Sequence, residues 1–457
     1  MRHVEVVVVG AGPAGLSAAI SAAEMGAEVM VIEEGNLPGG QIYSQAPDKF
    51  QLNSKNLSYD EIQGKHLLEK AYSFPIEFLT EALVFGIFDG RKLSVMKRSE
   101  EIEIWAKTLI LAPGAYERPV PFPGWTLPGV MTAGGVQKMI KTQWLIPGQR
   151  FLLAGTGPLQ LVLAKQLIES GAEVSGIVDA SSWRGSWKYL PQMLSEPGVL
   201  FQGMRYLWDV KSAKIPFLKS HAIIRAEGNG QVEAAITANV DENWHPIPDT
   251  ERRWDVDTVC LGYGFISSIE LAVLAGCRVR YESKWDSWVP EIDREMRSSI
   301  AGIYIAGDGA GLGGVLVATQ EGHIAGINAA RELGYSIKSD VYHHKKLDKL
   351  RKFRAALDEL WKFKTGLYDV ITDDTIICRC EEVKYSEIKK VIADGAVDLN
   401  EIKSLTRAGQ GMCQGRMCGI NVAHILAKTN GMTMDQYTVR PPIKPVPIDI
   451  LINDKND

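Results

Sequence analysis

Two rhythms of apolar positions run through the chain. Val4–Val9 is a strand-length apolar run interrupted only by Glu5; it passes directly into Gly10-Ala11-Gly12-Pro13-Ala14-Gly15 and a small-residue helix over Leu16–Met25. A second strand over Glu28–Ile32 ends on Glu33. The same order returns later: a strand over Arg150–Ala154, the turn Gly155-Thr156-Gly157-Pro158-Leu159-Gln160, a helix through Ser170, and a strand over Glu173–Val178 ending at Asp179. Strand, tight turn, helix, strand is the βαβ unit of a parallel sheet. Further strands are predicted over Thr108–Ala112, Asp257–Leu261 and Gly302–Gly309, the last delivering a carboxylate at its end. From His343 to Lys364 the period becomes helical, with Leu347, Leu350, Leu357, Leu360 and Trp361 on one face and basic residues between them. We read that segment as a helix docked on the protein with a solvated basic face. Short helices over Ser386–Ala393, from Asp398 or Asn400 through Leu405, and over Ile420–Lys428 predict a small all-helical unit at the C-terminal end.

The predicted fold class is α/β, with two Rossmann-like domains, one inserted in the other, and a small helical domain. At roughly 150 residues per domain, the 457 residues allow about three. The expected division is 1–120 with 286–335 for the first nucleotide domain, 121–285 for the second, 336–370 for the linker helix, 371–432 for the small domain and 433–457 for a tail. The proline-rich stretch Pro119–Pro123 and the segment Trp285–Pro290 are the expected hinges.

The first glycine turn has the residues a dinucleotide needs. Gly10 permits the turn, Gly12 lets backbone approach a pyrophosphate, and Gly15 lets the helix sit close to the strand; Pro13 and Ala14 complete the loop. The helix N-terminus then faces the negative charge. Glu33, followed by Glu34, ends the second strand where a carboxylate accepts ribose hydroxyls and repels a 2′-phosphate. In the second fold Gly155 and Gly157 are present, but Gln160 stands at the third glycine position and is expected to crowd the helix or displace the phosphate. That fold holds ADP, ATP or NAD, or else survives as a scaffold.

Charge and cysteines narrow the chemistry. A net charge of −5 argues against nucleic acid as a partner. No signal peptide is evident and no run of 18 apolar residues occurs, so a cytoplasmic protein without a transmembrane span is expected, with peripheral contact at the inner membrane face left open. Six cysteines in a chain this long do not make a secreted disulfide scaffold. Cys260 and Cys277 lie in apolar surroundings and read as buried small hydrophobes. No C-x-x-C occurs in either nucleotide fold, so disulfide-reductase chemistry lacks its nucleophiles. The other four make the pairs Cys378-x-Cys380 and Cys413-x4-Cys418. Soft thiolates select an iron–sulfur cluster or zinc, and zinc knuckles usually space their cysteines more widely than C-x-C. Structural thiols are the third reading.

Several segments carry a resemblance. Gly39-Gly40-Gln41, the strand ending in Pro113-Gly114, and Gly302-Ile303-Tyr304-Ile305-Ala306-Gly307-Asp308-Gly309 resemble flavoproteins of the glutathione reductase and thioredoxin reductase type. That resemblance implies FAD in the first fold, with Gly40, Gln41 and Gly114 along it. It implies that Gly307 and Asp308 lie at the ribityl and phosphate end, and that Thr319 and Gln320 sit on a helix approaching the flavin. His323 on that helix reads as a satisfied polar residue.

The stretch Thr406–Cys418 and the tail Arg440-Pro441-Pro442-Ile443-Lys444-Pro445-Val446-Pro447 resemble one subgroup of the bacterioferritin-associated ferredoxin type of [2Fe–2S] domain. The whole chain is similar to the FAD-binding alpha subunits of dye-linked amino-acid and opine dehydrogenases, acting on proline, hydroxyproline, octopine or nopaline. The sarcosine oxidase alpha chain and the hydrogen cyanide synthase middle subunit look related.

The resemblance implies an oxidoreductase subunit with FAD and a [2Fe–2S] cluster on Cys378, Cys380, Cys413 and Cys418. An FAD-containing beta subunit oxidises the C–N bond, and a quinone or dye accepts the electrons. Some members carry FMN between subunits. Some begin with an extra ferredoxin-like domain; here such a domain would come from a small gamma subunit, or the complex does without it. No residue of this chain is read as catalytic. The alternative is a self-contained NAD(P)H-dependent FAD oxidoreductase, and a further one is a scaffold holding nucleotide and zinc.

Overall fold

The computed structural model describes residues 1–46, 59–336, 339–431 and 433–452. Parts of the expected linker (337–338), the last residue of the expected small domain (432) and the end of the expected tail (453–457) lie outside them. The chain divides into two compact units, 1–116 with 266–354 and 439–457, and 117–265 with 355–438.

In the first unit, the strands Ile76–Leu79, Val29–Ile32, Arg2–Val9, Glu100–Leu111 and Ile303–Ile305 run parallel, and Lys92–Lys97 and Ala82–Phe88 extend the sheet antiparallel. Register matters for function. Val9 lies opposite both Ile32 and Leu111, and Leu111 opposite Ile305. The four strands therefore end level and deliver Gly10, Glu33, Ala112 and Ala306 to one edge, where open α/β sheets bind ligands. Helices Pro13–Glu24 and Val315–Glu332 pack on this sheet with their backbones almost touching. A Cβ at Gly322 or Gly326 would stand 2.1 Å from the carbonyl oxygen of Ala14 or Ala18. The expected segment 286–335 is joined in this unit by residues from 266 onward, because Leu271, Ala272, Ala275 and Cys277 pack into the core on the sheet's other face.

The second unit is built on a five-stranded parallel sheet ordered Phe217–Lys219, Glu173–Asp179, Arg150–Gly155, Thr258–Gly262, Val130–Thr132. An antiparallel trio, His221–Glu227, Ala234–Asn239 and Arg252–Trp254, lies beside it. Residues 355–438 belong to the same unit. Phe363, Leu367 and Tyr368 enter its main core, and the Trp125 indole donates to the Ile376 carbonyl (2.6 Å).

The C-terminal part is not purely helical. A two-stranded hairpin, Ile376–Cys378 with Val383–Lys384, precedes helices Tyr385–Ala393, Leu399–Thr406 and Gly419–Asn430. The strand was hidden in the sequence by its length of three residues. Asp398 caps the middle helix, accepting the Glu401 N–H (2.8 Å).

The linker helix is Val341–Leu360, shifted toward the N-terminus relative to the apolar period; Leu347 and Leu350 join the first unit's core. Among the described residues no helix is long and apolar enough to cross a membrane.

Candidate functional site

The glycine turn after Arg2–Val9 is packed against backbone at two positions and open at a third. A Cβ at Gly10 would stand 2.3 Å from the Ala112 carbonyl oxygen, and one at Gly15 would stand 1.8 Å from that of Gly10. A Cβ at Gly12 would meet, its chain neighbours aside, nothing among the described residues nearer than Gly40 Cα at 3.8 Å. Gly12 thus leaves room for a ligand, whereas Gly15 is fixed by the fold. Gly39 donates to the Ala11 carbonyl (2.8 Å), which holds the 39–40 turn beside the loop. Gln41 follows, exposed.

Glu33 joins loop and strand end, since its carboxylate accepts the N–H of Ala11 (2.7 Å) and of Gly35 (2.8 Å). A carboxylate has about four acceptor sites, so capacity for ribose hydroxyls is left over. Glu34 is largely exposed and forms an ion pair with Lys444.

At the neighbouring strand ends, the Gly114 carbonyl accepts the Ser268 N–H (3.0 Å), and a Cβ at Gly114 would meet open space. A Cβ at Gly307 would come within 2.7 Å of Ala14 Cβ. Asp308 Oδ1 accepts the N–H of both Gly313 and Gly314 (2.9 Å each), fixing the carboxylate at the start of helix Val315–Glu332. The Thr319 hydroxyl bonds back to the Val315 carbonyl (2.8 Å), and the buried Gln320 is held by His343 (2.9 Å). Both side chains that the resemblance aims at a flavin are thus engaged within the protein. His323 shares a hydrogen bond with Ser21 (2.7 Å) and stacks on His343; burial drives it down to about 3, so it is neutral.

One residue here has no motif to announce it. Glu321 is fully buried, accepts the Gly307 N–H (3.0 Å) and pairs with Arg351 of the linker helix (2.9 Å). Burial pushes its carboxyl up to about 7 against the pull of Arg351. It ties the linker helix to the turn that carries Asp308.

In the second fold Gln160 does not break the helix–strand contact. Its amide fills the space where a Gly155 side chain would stand, since a Cβ there would lie 2.3 Å from Nε2 and 2.1 Å from the Gly262 oxygen. Both polar atoms of Gln160 and the Thr156 hydroxyl are buried without a protein partner among the described residues. A Cβ at Gly157 would stand 3.8 Å from the Trp361 ring. Asp179, at the ribose position, is buried and already satisfied by the Ser181 N–H and hydroxyl (2.8 and 2.7 Å) and by Lys219 (2.7 Å).

The four C-terminal cysteines converge in two cross-motif pairs. Cys378 and Cys418 are within hydrogen-bonding reach of each other, as are Cys380 and Cys413, and Cys413 also lies in the field of Cys418. Cys378 is drawn down to about 6, first by its bond with Cys418 and then by the N–H groups of Gly409, Glu381 and Cys380. Cys418 is pushed well up by Cys378 and by burial, and burial also raises Cys413. N–H groups of Met417 and Gly415 face Cys413. Gly411 lets the two loops meet, since a Cβ there would be 2.3 Å from Cys380 Cβ.

No three His, Cys, Asp or Glu side chains among the described residues gather as ligands of one ion. Two thiol pairs surrounded by backbone N–H groups suit a centre of two irons, each taking two thiolates. Cys260 and Cys277 lie apart, both buried and raised by burial.

Comparison with known proteins agrees with this division of the sites. Residues 4–332 match the family model "Pyridine nucleotide-disulphide oxidoreductase", and residues 376–428 match "BFD-like [2Fe-2S] binding domain". The chain is 34% identical to the opine oxidase A subunit of Rhizobium meliloti, covering 97% of this chain and 86% of that protein. It is 32% identical to hydrogen cyanide synthase subunit HcnB of Pseudomonas aeruginosa, covering 98% of each. Its fold is similar to that of the L-proline dehydrogenase structure from P. horikoshii, with a TM-score of 0.72 at 22% identity over 99% of this chain and 80% of that one.

Proposed function

The chain belongs to the pyridine nucleotide-disulphide oxidoreductase family, within it to the family of the opine oxidase A subunit, and from that premise we propose that it is the FAD- and [2Fe–2S]-carrying alpha subunit of a heteromeric amino-acid or opine dehydrogenase. The observation that carries this reading is the presence in one chain of an open dinucleotide edge and four gathered thiols. Bound FAD would supply two-electron storage, and a [2Fe–2S] centre single-electron relay. The chain's residues bind and tune. Gly12 admits the pyrophosphate, Glu33 takes the ribose, and Asp308 stands at the phosphate and ribityl end. Cys378, Cys380, Cys413 and Cys418 hold the irons.

A partner beta subunit with its own FAD removes hydride from the amine, and a quinone or dye receives the electrons. FMN between the subunits and a small gamma subunit belong to the same proposal. So does a nucleotide in the second fold, where Thr156 and Gln160 offer buried polar atoms. The test is mild co-purification of native partners, then a panel of amino acids and opines with an artificial acceptor. Turnover requires the partner, and turnover by this chain alone contradicts the division of labour.

The alternative of a self-contained NAD(P)H oxidoreductase is disfavoured by Asp179, whose carboxylate is taken by Lys219 and Ser181. The expected result of mixing the isolated chain with NADH under anaerobic conditions is a flavin band that persists. Rapid bleaching would favour the alternative.

The partner also accounts for an exposed apolar face. Phe201, Met204 and Trp208 form a stripe at helical spacing on helix Pro197–Ser212, and Trp187, Leu190 and Leu194 precede it, all exposed. Residues 183–208 carry three tryptophans but only four charged side chains, two of them arginine. Rich in aromatics, Met and Arg and poor in Lys, Glu and Asp, this is the composition of a protein–protein interface core rather than of a basic, lipid-binding face. We assign it to the beta subunit. The double variant W187D/W208D is expected to keep both cofactors and to lose co-elution with the partner, since interface hot spots are enriched in tryptophan and removing one costs about 2 kcal/mol or more. Unchanged affinity would refute the assignment.

A further inference from the structure

The segment 435–438 places a side chain over the thiols that neither the motifs nor the family models single out. Asp435 accepts the Leu399 N–H (3.0 Å), and Asn400 and Thr438 exchange two hydrogen bonds (3.1 Å each). The segment is thereby strapped to the start of helix Leu399–Thr406. Between these ties, the ring of Tyr437 lies in a slot that exists because three neighbours lack side chains. A Cβ at Gly409, Gly415 or Gly419 would stand 2.8, 2.7 or 3.2 Å from it. Gly409 and Gly415 also take φ of +89° and +85°, so other residues would be strained there.

The hydroxyl at the end of this ring is buried and has no hydrogen-bond partner among the described residues. The hydroxyl lies beside the sulfur of Cys418, with Cys378 and Cys413 close enough to act on it electrostatically. A phenylalanine would fill the slot equally well and would leave no buried hydroxyl without a conventional partner. The hydroxyl therefore needs a reason beyond packing.

Resting on the reading of the four cysteines as cluster ligands, we propose that Tyr437 is a tuning residue of the iron–sulfur centre, donating its hydroxyl proton in a hydrogen bond to the Cys418 sulfur and so raising the reduction potential. The physical cause is simple. Reduction adds negative charge that spreads onto the thiolate sulfurs. A donor held beside one of them stabilises the reduced form more than the oxidised form. No bond is broken, and the proton stays on the phenol.

The test uses the full chain with its cofactors. Y437F keeps the ring in its slot and is expected to retain iron and sulfide. Its midpoint potential falls by the equivalent of about tenfold in the one-electron equilibrium, ~59 mV. Pulsed EPR of the reduced wild type, compared in H2O and D2O, shows an exchangeable proton coupled to the cluster that is missing in the variant. A cluster intact in Y437F at unchanged potential overturns the inference and leaves the ligand assignment standing. Absence of iron and sulfide from the wild type overturns both. Should Y437F fail to load, 3-fluorotyrosine incorporated into the wild type provides a stronger donor in the same fold. The potential then rises if Tyr437 donates, and an unmoved potential refutes it.

Discussion

Cys418→Ser is expected to purify with its flavin and without its iron. Cys418 is fully buried, sits at the N-terminal end of helix Gly419–Asn430, and packs in the small core with Ile377, Ile388, Ile402 and Val422. Serine fits that space but replaces a soft ligand with a hard one and leaves a buried hydroxyl short of partners. Iron and acid-labile sulfide should fall below about a tenth of the wild-type content, because a two-iron centre depends on all four thiolates. Cluster binding is also folding free energy for residues 371–438, so this part should melt earlier while the FAD-binding unit holds. Electron delivery to an artificial acceptor from the assembled complex should be lost along with the iron. Cys260→Ser is the matched control. It too puts a hydroxyl into a fully buried site, at a cost of about 1–3 kcal/mol, yet it should leave iron and sulfide unchanged. Equal iron content in wild type and C418S would remove the cysteine assignment, and loss of iron in both variants would mean that general destabilisation, not ligation, is being read.

What the sequence made legible follows from how local each signal is. The two βαβ units were readable because strand, glycine turn, helix and terminal acid fall within about 30 residues, the span of one such unit. The thiol pairs were readable because cysteine is rare in this chain and its spacing is informative. The places where reading failed are long-range. Asp179 ends its strand as Glu33 does, but Lys219, forty residues on, pairs with it. Gln160 looks like an intruder until Gly155 and Gly262 are seen to make room for it. Glu321 with Arg351, and Tyr437 with its three glycines, carry no pattern at all, because each pair is made by tertiary packing between separate segments. Thr319 and Gln320 are a different case. Family resemblance points them at a ligand, whereas here the helix backbone and His343 hold them. Residues 266–285 were expected with the second fold because they follow its last strand. Their apolar side chains instead fit the first sheet.

The glycine turn allows a sharper test of the FAD site, since two substitutions of very different clearance should fail for different reasons. Gly12→Ala places its methyl where the nearest protein atom is 3.8 Å away, an ordinary contact, so the chain should fold with an unchanged melting profile in its apo form. A pyrophosphate lying on that backbone would be displaced by the same methyl. FAD content and affinity should therefore fall by roughly tenfold or more, about 1.4 kcal/mol at the least. The cluster, held by another segment of the chain, should be untouched. Gly15→Ala has no such freedom. Its methyl would stand 1.8 Å from the Gly10 carbonyl oxygen, and neither backbone segment can yield without parting the helix from the first strand. That variant should lose FAD and fold together, appearing as low soluble yield and a lowered melting temperature. If both variants bind FAD like the wild type, the first fold is not the flavin site. If Gly12→Ala misfolds as badly as Gly15→Ala, the opening at Gly12 is a feature of packing rather than a cradle for phosphate. Only a fold intact at residue 12 and broken at residue 15, with flavin lost from both, is what a pyrophosphate seated on this turn requires.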